Sequence, residues 1–107
     1  MASSEQYYNR VSERLSNISG ITYRKVMGEY IVSMYGKAVG VIYGDRLYVR
    51  ATKSARKLMP SVKPIVPYDG SRRMLCVDDD SDGLFLAELI KRIYDDIPPS
   101  RRRGRVK

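Results

Sequence analysis

Histidine is absent from this chain of 107 residues. Its absence removes the commonest general base, the commonest metal ligand and every catalytic triad that depends on an imidazole. Carboxylates and lysines remain available for acid–base chemistry, but no nucleophile stands near a candidate base in the sequence. We therefore predict that the protein is not an enzyme, and that it has no catalytic residues, no metal and no cofactor.

Cysteine is nearly absent too. The single residue, Cys76, cannot form an internal disulfide, which favours a reducing compartment. Cys76 lies in the apolar run 74–77, and we interpret it as a buried strand residue. The alternative is a reactive thiol, for which the chain offers no histidine as a base.

Long apolar runs are missing as well. No stretch approaches the roughly 18 apolar residues of a membrane span. Residues 1–6 lack the basic and apolar regions of a signal peptide. The sequence therefore predicts a cytoplasmic protein with no membrane association.

Positive charge is abundant, with a formal net charge of +8, but it is distributed unevenly. Residues 1–19 are neutral, 20–77 carry +8, 78–97 carry −5 and 98–107 carry +5. Such asymmetry bears on partners and on electrostatic steering rather than on the fold.

The spacing of apolar residues predicts secondary structure of both kinds. The pattern predicts a helix over 4–18, strands near 22–27, 29–35, 38–43 and 46–51, a short helix capped by Thr52 and ending by Met59, a loop over 60–70, a strand over 72–77 and a helix from about 81 to 97. The short turns between the first four strands require antiparallel pairing. The predicted fold is α+β, an antiparallel meander with its N- and C-terminal helices on one face, in the order α-β-β-β-β-α-β-α. It occupies residues 1–97, and the basic tail 98–107 is predicted to be disordered.

Acidic residues cluster before the last predicted helix. Asp78, Asp80, Asp82 and Gly83 match the first positions of an EF-hand calcium loop. The loop then requires a bidentate glutamate, and Leu89 occupies that position. We interpret the cluster as acids at a helix N-terminus, with Ser81 or Asp80 as the cap.

The basic residues of the middle segment and the tail are the candidate binding residues, for nucleic acid or for a protein partner. They are Arg24, Lys25, Arg46, Tyr48, Arg50, Lys53, Arg56, Lys57, Arg72, Arg73, Arg101, Arg102 and Arg103. Cationic side chains interleaved with tyrosine suit phosphate contact and base stacking. The alternatives are a solvated sheet face, on which arginine stems cover the tyrosines, and a solubilising tail.

Several short motifs resemble, in order and spacing, those of a known family. They are Tyr23-Arg24-Lys25-Val26-Met27-Gly28-Glu29-Tyr30, Tyr35-Gly36-Lys37, Val39-Gly40, Asp45-Arg46-Leu47-Tyr48-Val49-Arg50, and Pro67-Tyr68-Asp69-Gly70 with Met74. Over about residues 3–97 the chain resembles the N-terminal domain of the TfoX/Sxy regulators of competence and DNA transformation. The resemblance implies a curved antiparallel sheet flanked by helices, no active site, and a role in transcription regulation, such as assisting an activator of the cyclic AMP receptor type.

Two functions follow as hypotheses. The first is a regulatory interaction domain that acts through a protein partner, as a monomer or as a homodimer, because tyrosine and methionine are enriched at interfaces. The second is direct binding of nucleic acid by the basic surface and tail, with an affinity that falls steeply with salt.

Overall fold

The fold, taken from a computed structural model that describes residues 5–78 and 81–98, is α+β, as predicted. Its elements in chain order are α1 (Glu5–Arg14), β1 (Ile21–Val26), β2 (Glu29–Met34), β3 (Lys37–Tyr43), β4 (Arg46–Arg50), α2 (Lys53–Leu58), β5 (Met74–Val77) and α3 (Gly83–Asp96). Every predicted element is therefore present, in the predicted order.

The first helix is shorter than predicted, because it ends at Arg14 rather than at residue 18. Beyond it, the amide of Ser16 bonds to the carbonyl of Glu13 at 3.2 Å, and the Ser16 hydroxyl donates to the same oxygen at 2.7 Å. Such local bonds compete with the helical pattern. Ile18 still packs against the core, so the apolar period continues beyond the end of the helix.

Five antiparallel strands form one sheet in the order β1-β2-β3-β4-β5. Two-residue turns join the first four strands, and both residues of each turn have positive φ, as a type I′ turn requires. The turns are Met27-Gly28, Tyr35-Gly36 and Gly44-Asp45. Met27 is unusual because it is not glycine, asparagine or aspartate, and because 96% of its surface is exposed.

A β-bulge disturbs the pairing of β2 with β3, where Val32 faces Gly40 and Ser33 faces Ala38. Val39 is the extra residue, and its side chain is buried in the core. A side chain at Gly40 would place its Cβ 2.4 Å from the carbonyl oxygen of Tyr48. The close approach of β3 and β4 therefore requires glycine here.

All three helices contribute to one core on one face of the sheet, as predicted. The terminal helices supply Val11, Leu86 and Ile90, which are almost fully buried, and α2 supplies Ala55. The tyrosine Tyr8 of α1 stacks on Tyr30 of β2, with ring centroids 4.2 Å apart, and this contact secures α1 against the sheet.

The last helix begins at an aspartate, but not at the predicted one. The Asp82 carboxylate accepts hydrogen bonds from the amides of Leu84 at 2.7 Å and Phe85 at 3.2 Å, so Asp82 is the N-cap. Ser81, one of the predicted caps, lies one residue before the N-cap, and its carbonyl accepts a hydrogen bond from the Arg14 guanidinium. Asp80 and residues 1–4 and 99–107 lie outside the described residues, and so do the predicted start of α1 and most of the predicted tail.

A candidate anion-binding face on the sheet

The helices leave one face of the sheet uncovered, and we call it the open face. A cross-strand row on this face runs through Arg24, Ile31, Val41, Tyr48 and Cys76, each beside the next in the pairing register. Apart from Arg24, these side chains belong to a second, smaller apolar cluster. The open face is thus partly buried even though no helix covers it.

The segment 60–73, which we call the strap, provides that cover. Its Ile65 forms a two-way backbone bridge with Met74, with N–O distances of 2.8 and 2.7 Å. The bridge pairs the strap with the beginning of β5. The strap residues that follow Ile65 then lie over the open face.

The side chain of Tyr68 joins the strap to the sheet. Its ring lies 5.0 Å from that of Tyr43, and its hydroxyl lies near enough to the Glu29 carboxylate for that charge to act on it. Burial is the largest cause that raises the pKa of Tyr68, and the negative charge of the Glu29 carboxylate is the second. The hydroxyl therefore stays protonated near neutral pH and remains a donor.

A groove of about 260 Å³ remains open between the strap and β4. Its apolar floor includes Ile31, Val41 and Met74. Its polar edge is formed by Arg50 from β4 and Arg72 from the strap. The groove thus combines an apolar base with two cationic side chains from different parts of the chain.

The two guanidinium groups oppose one another electrostatically. Burial lowers the pKa of Arg50, and the positive charge of Arg72 lowers it further. The strongest contact of Arg50 is a long one, from Nη1 to the Ala38 carbonyl at 3.4 Å. Within residues 5–78 and 81–98, no acidic side chain pairs with either arginine.

The predicted site residues of β1 and β4 divide between the two faces. On β4, Arg46, Tyr48 and Arg50 alternate onto the open face, where Arg24 also lies. Tyr48 is 8% exposed and packs within the second apolar cluster, so its ring offers little free surface for stacking. Lys25 is on the other face, with Nζ 5.9 Å from the ring centroid of Tyr30.

Tyr23, which the sequence interleaves with the basic residues, also packs on the helix side. Its ring meets the edge of Tyr8 at a centroid distance of 5.2 Å. Burial raises the pKa of Tyr23 to about 12, with a smaller contribution from Tyr8. The ring therefore stabilises the fold and is not part of a basic surface.

The basic residues of α2 form a separate group. Lys53, Arg56 and Lys57 are exposed on a helix that packs against α3, in the helix layer. Arg73 is exposed next to Arg72 but does not line the groove. Arg101, Arg102 and Arg103 lie outside the described residues. The structure therefore brings Arg50 and Arg72 together, and separates them from the basic residues of α2.

Sequence reasoning missed the role of the strap. The pattern around Pro67 predicts a loop, which is correct, but nothing in it predicts that the loop crosses the sheet. The bridge between Ile65 and Met74 and the contact of Tyr68 with Glu29 join residues that are distant in sequence. No local sequence pattern around Glu29 or Tyr68 predicts that these two residues lie close together.

No group of three or more potential ligands lies close enough to hold a metal ion in the part of the chain that the structure describes. None of the described helices has the length and apolar character needed to cross a membrane. Cys76 lies in β5, as predicted, but the prediction that it is buried is wrong, because it lies on the open face and is partly exposed.

Comparison with protein-family models finds no match to this chain, and comparison with curated proteins finds none either. The resemblance to the TfoX/Sxy domain therefore stays a prediction that is carried by the sequence motifs alone.

Proposed function

We propose that this chain is a non-catalytic regulatory domain that binds a protein partner involved in transcription, as the TfoX/Sxy resemblance implies. The partner docks on the open face of the sheet and presents acidic groups to it. The domain acts by binding and needs no cofactor.

One observation carries this proposal, namely that Arg24, Arg50 and Arg72, which have no acidic partner among the described residues, lie around a partly exposed apolar surface. Arg24 and Arg50 lie on the open face, and Arg72 reaches it from the strap. Arginine, tyrosine and methionine are enriched at interfaces, and buried arginine is a frequent hot spot. An acidic partner would supply the charges that the described residues do not.

A charge-reversal experiment tests where the partner docks. The probe is a purified, fluorescently labelled activator of the cyclic AMP receptor type, titrated with the protein and followed by anisotropy. We expect the double variant Arg50→Glu, Arg72→Glu to weaken binding by at least about tenfold, because two attractive charges become repulsive.

The control changes net charge by the same amount in the helix layer. The double variant Arg56→Glu, Lys57→Glu alters α2, away from the groove, and we expect less than about a threefold change from its long-range effect. Equal losses in both variants, or the absence of binding by the unmodified chain, would contradict the proposal.

Direct binding of nucleic acid is the second candidate, favoured by a different observation. The net charge of +8 is spread over the open face, the exposed residues of α2 and the sequence beyond residue 98. Lysine and arginine neutralise phosphates at many positions, and such binding does not require the groove.

A salt series distinguishes this candidate from the first. Labelled duplex and single-stranded DNA would be titrated from low to physiological salt, and we expect the affinity to fall steeply. Deletion of residues 98–107 should weaken binding, and charge reversal at Arg50, Arg56 and Lys57 should weaken it more. Binding that is insensitive to both changes would exclude this function.

A further inference from the structure

The groove on the open face has the chemistry of a site for one anionic group. Two guanidinium groups from different parts of the chain line it, and neither pairs with an acid among the described residues. Their mutual repulsion is reduced when an anion lies between them. Arginine suits this role because its planar array of donors matches the oxygens of a carboxylate or a phosphate.

The apolar floor of the groove favours a ligand that also has an apolar part. Ile31, Val41 and Met74 present apolar side chains, of which Ile31 is partly exposed, whereas Val41 and Met74 are nearly buried at 6% and 5% exposed. An ion such as inorganic phosphate would leave this floor in contact with water. A ligand with a short apolar body beside its anionic group would cover it.

The size of the groove limits that body. Its volume of about 260 Å³ is just below the ~300 Å³ at which pockets for drug-sized ligands begin. The groove can therefore accept a short chain or a small ring, but not a nucleotide or a folded peptide.

We propose that the groove binds a small amphipathic anion, with its carboxylate or phosphate between Arg50 and Arg72 and its apolar body on Ile31, Val41 and Met74. This site goes beyond the proposed partner-binding function, because it makes the domain responsive to a small molecule. Occupancy of the groove would change the charge that the open face presents to a partner.

The test uses methyl NMR spectra of the full chain. The probes are hexanoate, hexyl phosphate, inorganic phosphate and the neutral hexanol. We expect hexanoate or hexyl phosphate to shift the methyl signals of Ile31, Val41 and Met74 with saturation. The stronger of the two identifies the anionic group as carboxylate or phosphate. Hexanol and inorganic phosphate should each bind at least about tenfold more weakly, because each lacks one half of the interaction.

Matched variants locate the anion. Arg50→Gln and Arg72→Gln should each raise the Kd of the better hexyl anion about tenfold, because each removes a charged hydrogen bond. Arg73→Gln makes the same change of charge one residue away, outside the groove, and should leave the Kd within about twofold. Amide spectra of the variants would verify that each retains the fold.

Three results would overturn the proposal. They are equal binding of hexanol and hexanoate, equal effects of Arg72→Gln and Arg73→Gln, and methyl shifts confined to residues outside the groove. The partner titration described above uses a different ligand, so failure of the anion site leaves the partner-binding proposal to be judged separately.

Discussion

Lys37, at the start of β3, binds the C-terminal end of α3. Its Nζ donates to the carbonyl of Ile97 at 2.7 Å, reaches that of Tyr94 at 3.4 Å, and lies 4.1 Å from the centre of the Tyr94 ring. The last carbonyls of a helix have no partners within it, and the negative end of the helix dipole attracts a cation. A single side chain of the sheet therefore satisfies both requirements.

We expect Lys37→Met to lower the free energy of unfolding by about 1–2 kcal/mol, because it removes charged hydrogen bonds and a cation–π contact. Unfolding in urea would measure the change. Lys91→Met is the control, since Lys91 is exposed on α3, and it should change stability by less than about 0.5 kcal/mol. Equal losses of stability in the two variants would show that Lys37 acts only through its positive charge and not through its specific contacts.

Asp96 joins α3 to α2, much as Lys37 joins β3 to α3. Its carboxylate, at the end of α3, accepts hydrogen bonds from the amide of Ser54 at 2.9 Å and from its hydroxyl at 3.1 Å. The hydrogen bond from the Ser54 backbone N–H is the largest cause that lowers the pKa of Asp96. A hydrogen bond with the Thr52 side chain is the next largest cause. The carboxylate thus connects α3 to the beginning of α2.

A lowered pKa in the folded state gives a defined pH dependence. The stabilisation is fully present above the ordinary pKa of 3.8 and is lost as the pH falls through the lower folded value. We expect Asp96→Asn to be less stable than the unmodified protein at neutral pH, and the difference to shrink as the pH falls below about 4. Urea titrations at several pH values would measure it.

At the scale of elements, the backbone bridge between Ile65 and Met74 and the side chain of Tyr68 join the strap to the sheet. We expect Tyr68→Phe to increase the rate of amide hydrogen exchange at Ile65 and Met74, because the strap loses the polar interaction of the Tyr68 hydroxyl with Glu29. The amides of the β3–β4 ladder provide an internal control and should be unchanged. Uniform acceleration at both places would mean that the variant acts on global stability instead.

The elements themselves were largely predictable from the sequence, because local patterns determine them. Apolar alternation and turn residues predict β2, β3 and β4 to within a residue or so. The short turn between β1 and β2 was predicted at Gly28, but the participation of Met27 in it was not, since methionine rarely adopts positive φ. Helix α1 was predicted too long because apolar residues continue at the helical period after hydrogen bonding changes at Ser16.

The candidate site was predictable only in part. The sequence identifies Arg50 and Arg72 as candidates, but it also groups them with Arg56 and Lys57, which lie in the helix layer. Strand alternation assigns residues to one of two faces, yet it cannot say which face the helices cover. The crossing of the strap depends on contacts between residues far apart in the chain, and these have no local pattern.

At the scale of the whole molecule, α1, α2, α3 and the sheet share a single main core. We expect one cooperative unfolding transition, with far-ultraviolet circular dichroism and tyrosine absorbance giving the same midpoint. Leu89→Ala should shift both signals together and cost about 2–5 kcal/mol, since Leu89 is fully buried. A tyrosine signal that changes at lower denaturant would indicate that part of the molecule unfolds separately.

The order of strands in the sheet also determines how the chain can fold during synthesis. Because spatial order equals sequence order, each strand from β2 to β4 can pair with its predecessor as soon as it leaves the ribosome. The side chains of α3 that close the core are synthesised after all five strands, and they are Leu86, Leu89, Ile90 and Ile93. Until then the growing chain exposes an apolar sheet, and a ribosome that stalls before α3 would release an aggregation-prone fragment.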